Sequence, residues 1–265
     1  MVSPNCDQMH DAADILRGCR RLLVLTGAGA SADSGVPTFR DEDGFWRHYR
    51  VEDLASPVAF ASDPDLVWDW YRERRLQVAL ARPHAGQRTI ALLQQHFPEP
   101  RRVLVATTNE DDLLERAGVR PVLHLHGSLF ETRCSGRCGW RVRDEIDNGW
   151  SFRDCPHCGA PVRPGSVWFG EPVSPFALDL LERFDPDGCL VVGSSGVVQP
   201  AAAIPPELAL AGHPVVEINP VATPLSDVAA CHLGGTARTL LPELVDLLTS
   251  DTMRSTRTNM RSLRA

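Results

Sequence analysis

The chain has 265 residues, 43% of them hydrophobic, and a formal net charge of -7. That suffices for one large domain with a buried core and a small satellite. The acidic balance gives no bulk attraction to nucleic acid or anionic membrane, no apolar run nears the ~20 residues that span a bilayer, and Met1 to Cys19 lacks the basic-then-apolar order of a secretory leader. The expectation is a monomeric cytoplasmic protein that binds neither nucleic acid nor membrane. Every basic residue is arginine.

In chain order, Asp11 to Arg17 reads as a short helix stopped by Gly18. Arg21-Leu22-Leu23-Val24-Leu25-Thr26 is an apolar run of the kind buried on both faces of a parallel sheet, and it enters a glycine-rich turn, Gly27 to Gly35. The stretch Pro57 to Gln95 reads as helical. Three further apolar runs each end in a small or polar turn: Val103 to Ala106 before Thr107-Thr108-Asn109, Cys189 to Val192 before Gly193-Ser194-Ser195-Gly196, and Val215 to Ile218 before Asn219-Pro220. This pattern predicts an α/β fold with a doubly wound parallel sheet and ligand groups at the carboxyl ends of its strands. Ser250 to Ala265 is polar and rich in arginine, and reads as a disordered tail.

Cys134-x3-Cys138 and Cys155-x2-Cys158 form two ligand pairs in a segment with little helical period. Their spacing lets four thiolates converge on one tetrahedral zinc ion. Four sulfur ligands leave no open position for water, so the metal is structural. Gly27-x-Gly29 after a strand can cradle a pyrophosphate on backbone N–H groups. Ala32 stands where the dinucleotide-binding pattern G-x-G-x-x-G needs its third glycine, which disfavours an ordinary dehydrogenase. Leu123-His124-Leu125-His126-Gly127 reads as an alternating strand with both histidines on one face. His126, beside Gly127, is the better general-base candidate, since an imidazole titrates near neutrality.

Together these pieces resemble the sirtuin family, closest to its bacterial class III type. The matching segments are Gly27 to Ser31, Gly35 to Arg40, Thr107 to Asp111, His126-Gly127, the cysteine quartet, Val167 to Glu171, Gly193-Ser194-Ser195 and Ile218-Asn219, in the family's order from about Leu22 to Leu241. The resemblance implies a Rossmann-like large domain (about 10–50, 96–130 and 172–249), a helical segment (about 51–95) and a small inserted zinc-binding domain (about 131–171), together one catalytic unit over 1–249. It implies an NAD-dependent protein-lysine deacylase in which NAD is consumed, nicotinamide leaves and the acyl group ends on ADP-ribose. His126 would be the general base for a ribose hydroxyl. Ala28, Phe39, Arg40, Asn109 and Asp111 would surround the nicotinamide half of NAD, and Gly193, Ser194, Ser195 and Asn219 would hold the adenosine half. Gly27, Gly29, Ala30, Thr108, Glu110, Pro220 and Ala237 complete the expected NAD-binding set.

Acyl-lysine peptides are the implied partners, paired through the backbone with Phe169, Gly170 and Glu171. Tyr71 and Arg74, three apart and so on one helical face, match a pair that in class III binds the free carboxylate of succinyl- or malonyl-lysine. Acetyl, succinyl and malonyl groups are therefore all expected substrates. The alternative for these two residues is a solvated arginine-rich helix. The chain departs from the family at Thr108, where glutamine is usual, at Glu110, where a hydrophobic residue is usual, at Asp112, where glycine is common, and at Ser194, where threonine is common. Two other functions remain open on the residues alone: mono-ADP-ribosyl transfer or NAD hydrolysis, and a non-catalytic NAD or acyl-peptide sensor.

Overall fold

A computed structural model describes residues 6–38, 45–46, 49–97, 102–136, 138–144 and 153–262, with 45–46 and 250–262 described as backbone only. Helix α1 (Cys6–Arg17) precedes strand β1 (Arg21–Thr26) and the short helix α2 (Gly29–Ala32). Strands β2 (Phe45–Trp46) and β3 (Tyr49–Arg50) pair as a hairpin, followed by α3 (Val51–Leu54), α4 (Pro57–Ser62), α5 (Pro64–Leu80) and α6 (Ala85–His96). Next come β4 (Arg102–Thr107), α7 (Leu113–Arg116), β5 (Val122–His124), β6 (Glu131–Cys134), β7 (Arg141–Arg143) and β8 (Val162–Pro164). The chain continues through α8 (Pro175–Phe184), β9 (Gly188–Val192), α9 (Ile204–Leu210), β10 (Val215–Asn219), β11 (Cys231–Gly234) and α10 (Ala237–Ser262).

The four apolar runs form the middle of a six-stranded sheet in the order β11-β10-β9-β1-β4-β5, with every neighbouring pair parallel. Alternate side chains of these strands enter two separate cores. Leu22, Val24, Val105, Leu190, Val192, Val216 and Ile218 pack with α1, α6 and α10. Leu23, Leu25, Leu104, Ala106, Cys189, Val191 and Val215 pack with α8 and α9. A strand flanked by two cores has no solvent face, which is why these runs are continuously apolar rather than alternating. The chain extends from β1 to β4 and β5 on one side, then returns to lay β9 on the other. The reversal opens a crevice at the carboxyl end of β1, where ligands bind in open parallel sheets.

The stretch Pro57 to Gln95, expected to be helical, consists of three helices, α4, α5 and α6. Ser56 accepts the Ala59 N–H at the start of α4, and Asp63 accepts the Leu66 N–H at the start of α5, each with proline at the next position. Proline lacks the N–H that a continuing helix would use, so Ser-Pro and Asp-Pro restart the helix. The expected alternating strand 123–127 is also shorter. Strand β5 ends at His124, and Gly127 turns the chain with φ of +75°. Helix α10 continues to Ser262, past the start of the stretch where the sequence reading expects a disordered tail. Extending a formed helix adds one hydrogen bond per residue without a new nucleus. None of the helices among the described residues is long and apolar enough to cross a membrane.

The segment that carries the four cysteines contributes a three-stranded antiparallel sheet in the order β7-β6-β8. Arg75 on α5 ties it to the helical segment. Its guanidinium donates to the Leu129 carbonyl, to the Glu131 carbonyl at 3.2 Å and to Asp144 at 3.0 Å.

Candidate functional site

Gly27 and Gly29 in the first turn are required by contact with the chain's own backbone. The Gly27 N–H donates to the Val192 carbonyl at 3.0 Å and the Gly29 N–H to the Gly193 carbonyl at 2.9 Å. A Cβ on Gly27 would lie 2.7 Å from Ser194 Cα, and one on Gly193, whose φ is +61°, would lie 2.3 Å from the Ala30 nitrogen. Side chains at these positions would push β1 and β9 apart. The turns after the two strands thus interlock, bringing Gly27 to Ala30 against Gly193 and Ser194 as one continuous surface. The Asn219 amide donates to the Ser194 carbonyl at 2.7 Å, and Gly193 N–H donates to the Ile218 carbonyl at 2.9 Å, which adds the turn after β10. Ala237 packs on Gly86 of α6, where a Cβ would lie 2.1 Å from the Ala237 carbonyl oxygen. Ser195 and Pro220 flank the same turns. Phe39 and Arg40 lie outside the described residues.

The turn after β4 faces this surface. Asn109 Nδ2 donates to the Gly27 carbonyl at 3.0 Å and to Ser31 Oγ at 3.1 Å. Ser31 Oγ in turn donates to Asp111 at 2.8 Å, and the Leu113 N–H donates to the same carboxylate at 3.0 Å. Burial pushes the Asp111 carboxyl above the usual carboxylate range, against the pull of these donors. The Thr108 hydroxyl points back to the Thr26 carbonyl at 3.3 Å.

Sequence reasoning missed a brace behind the glycine turn. Gln87 reaches Ser31 Oγ at 3.4 Å, and its carbonyl oxygen accepts from Ser34 and from the His84 N–H, both at 3.1 Å. His84 Nδ1 accepts the Gly86 N–H at 3.1 Å, so its Nε2 carries the proton and donates to the Ala30 carbonyl at 2.9 Å. Burial holds His84 below its ordinary pKa, consistent with that neutral tautomer. The signal in the sequence is His84-x-x-Gln87, a capping box at the α6 N-terminus within the helical stretch.

The two histidines have different surroundings. His124 is gripped at both nitrogens, by the Asn109 carbonyl at 2.9 Å and Glu115 at 2.6 Å. Burial alone would lower its pKa, but the hydrogen bond and charge of Glu115 outweigh it and raise it. His126 is half-buried and moves the other way. Burial lowers its pKa, partly countered by the charge of Glu110 and a hydrogen bond to the Thr108 backbone. A base that stays neutral through the physiological range is ready to accept a proton. The His126 carbonyl accepts the Val167 N–H at 2.8 Å, so the residue joins the β4 turn to the segment 167–171.

That segment is a tight turn. Phe169 is exposed, Gly170 has φ of +83°, and the Glu171 N–H closes on the Trp168 carbonyl at 2.9 Å. The Phe169 N–H is taken by the Ala55 carbonyl at 2.9 Å. The Glu171 carboxylate serves the protein's own groups, accepting from Arg163, from Arg133 at 2.8 Å and from the Trp168 N–H at 2.9 Å. Tyr71 is fully buried, and its hydroxyl accepts from Trp168 Nε1 at 2.9 Å. Burial raises its pKa strongly. Arg74 lies on the same helical face, but its Nη1 is 2.6 Å from the Glu110 carboxylate.

The sulfurs of Cys134, Cys138, Cys155 and Cys158 all lie within 4.8 Å of one another. A tetrahedral zinc with bonds of about 2.3 Å sets its sulfurs ~3.8 Å apart, so the quartet fits that ion. The Gly136 N–H donates to Cys134 Sγ at 3.2 Å, a bond that favours the thiolate a metal needs. Cys138 and Cys158 are exposed, and Cys134 and Cys155 are buried; four sulfur ligands leave no open position on the ion, which suits a structural role.

Comparison with known proteins agrees with this geometry. The Sir2 family profile matches residues 27–200. An NAD-dependent protein deacylase 1 of Pseudomonas aeruginosa is 45% identical over 89% of this chain and 98% of its own length. One from Archaeoglobus fulgidus is 44% identical over 84% of this chain and 91% of its own. Among solved structures, a Sir2 homologue in complex with NAD superposes with a TM-score of 0.85 at 39% identity, covering 95% of this chain and 97% of that one. A mutant Sir2 homologue with 2'-O-acetyl-ADP-ribose gives 0.82 at 39% identity, covering 94% and 98%. Similarity of this extent, over the turns that build the crevice, makes the chain a member of the Sir2 family.

Proposed function

We propose that the protein is an NAD-dependent protein-lysine deacylase acting on acetyl-lysine and also on succinyl- and malonyl-lysine. The observation that carries this reading is the position of His126. Its side chain bonds the β4 turn through the Thr108 backbone, and its own carbonyl holds Val167 at the start of the 167–171 turn. One residue therefore links the proposed NAD surface to the proposed peptide surface. The deacylase names of the Pseudomonas and Archaeoglobus relatives, and the NAD and acetyl-ADP-ribose of the solved homologues, support it.

NAD supplies an activated ribose carbon: the acyl oxygen bonds to it as nicotinamide leaves, and with water the acyl group ends on a ribose hydroxyl of ADP-ribose while the lysine amine is freed. The interlocked turns at Gly27 to Ala30 and Gly193 to Ser195 hold the dinucleotide, with Asn219, Pro220 and Ala237 at the adenosine end. Asn109 and Asp111, fixed through Ser31, orient the nicotinamide end. His126 removes the proton of a ribose hydroxyl as that oxygen attacks the acyl carbon. Zinc, held by the four cysteines, stabilises the module that carries the peptide turn and takes no part in the reaction.

The test is incubation with NAD and acetyl-, succinyl- and malonyl-lysine peptides, with products followed by mass. NAD-dependent free lysine together with O-acyl-ADP-ribose supports the proposal. Nicotinamide release without any peptide product would instead indicate ADP-ribosyl transfer or NAD hydrolysis, and no nicotinamide at all would indicate a sensor.

A further inference from the structure

Arg74 and Glu110 come from different elements, α5 and the turn after β4, and meet as an ion pair. Arg74 Nη1 lies 2.6 Å from Glu110 Oε2, with the side chains 16% and 12% exposed. The guanidinium carbon sits 4.8 Å from the Trp70 ring centroid and 5.5 Å from that of Tyr71. Glu110 is fixed from behind, since its carbonyl accepts the Leu129 N–H at 2.8 Å. Its neighbours in sequence are Asn109 and Asp111, both anchored to Ser31. The charge of Glu110 is felt by His126 and by Tyr71. An aromatic-backed, mostly buried cation is therefore already matched by a carboxylate from the protein, within electrostatic reach of the general base.

We propose, resting on the deacylase reading, that Glu110 is a specificity-determining residue that restrains acidic acyl chains by occupying the cation they would need. A terminal carboxylate on the acyl chain meets one guanidinium already paired. Bringing it in either crowds two anions around one cation or forces Glu110 to move, and both oppose binding in a water-poor site. A neutral acyl chain meets a balanced pair and bears neither cost. Removing the Glu110 charge leaves Arg74 without this mostly buried counter-ion, and an acidic acyl chain restores the balance.

The test compares kcat/KM for succinyl- and acetyl-lysine peptides of one sequence. Glu110→Gln keeps the shape and removes the charge. The succinyl-to-acetyl ratio is expected to rise about tenfold, carried by a lower KM for the succinyl peptide. Glu110→Asp keeps the charge and should leave the ratio low. The double variant Glu110→Gln/Arg74→Met should lose the gain. A ratio that stays level or falls in Glu110→Gln overturns the proposal. If Glu110→Gln does not fold, the unmodified protein still decides: a succinyl chain is compared with its terminal amide, of equal size and no charge. Preference for the amide supports the restraint, and preference for the acid overturns it. Calorimetric binding of the same peptides in the presence of ADP-ribose reads the charge preference without turnover. Absence of any deacylation would then sink the deacylase reading while leaving the Glu110 result distinct.

Discussion

His124 holds Glu115 at 2.6 Å through Nε2 and the Asn109 carbonyl at 2.9 Å through Nδ1. Both partners are acceptors, so both ring nitrogens donate, and the ring is charged when this geometry is complete. Because the folded pKa of His124 is raised, its contribution is fully present below the ordinary value of about 6.5 and fades as pH rises through the folded value. The folded pKa of Glu115 is lowered: burial would raise it, and the His124 hydrogen bond and charge outweigh that. Its contribution is present above about 4.5 and is lost as pH falls through the folded value. His124→Asn should therefore destabilise the protein by about 2 kcal/mol near pH 5.5, and less at pH 8.5. Thermal melting at the two pH values checks this; a larger gap at pH 8.5 would be the wrong sign.

His126→Ala should lower turnover by about 10²-fold or more with NAD binding retained. The acid limb of the kcat/KM profile should fall below the ordinary imidazole value, because burial lowers this pKa. The Glu110 charge raises it, so Glu110→Gln should shift the limb further to acid. A shift toward neutrality in that variant would contradict the assignment.

Metal removal should act on the peptide side first. Arg133, on β6, and Arg163, on β8, both donate to Glu171 in the 167–171 turn proposed to bind the peptide, so loosening the module should loosen that turn. Partial chelation, or Cys155→Ser, should raise peptide KM more than NAD KM and lower the melting temperature. Metal analysis of the untreated protein should find one zinc per chain.

Arg163→Met tests the same link without touching the metal. The Arg163 side chain is 7% exposed, pairs with Glu171 and donates to the Ser166 carbonyl at 2.8 Å. Removing one partner of such a pair costs about 3 kcal/mol. Peptide KM should rise with zinc content unchanged, and an unchanged peptide KM would detach the turn from the module.

The strands at the centre of the sheet were legible because burial on both faces writes itself as an unbroken apolar run. Strand β11 was not, since its Cys231-His232-Leu233-Gly234 is short and mixed, and only its pairing with β10 makes it a strand. The zinc ligands were legible because their spacing is local. The brace of His84 and Gln87 on the glycine turn was not, because its partners come from a distant element. The Arg74–Glu110 pair illustrates the same limit. Helical spacing put Arg74 beside Tyr71, but no local pattern reveals that Glu110 reaches the guanidinium across the fold.

The position of β1 also governs when the crevice can exist during synthesis. β1 pairs with β4 on one side and with β9 on the other, so Leu22 must wait for Gly188 before the sheet is whole. The glycine turn leaves the ribosome early, yet its interlocking partner Gly193 follows only after the entire zinc module. A nascent chain that has emerged through β8 already carries all four cysteines, while β9, β10 and the turns that follow them are still to come. The metal module is thus available to fold as a local unit before the long-range closure that completes the catalytic crevice.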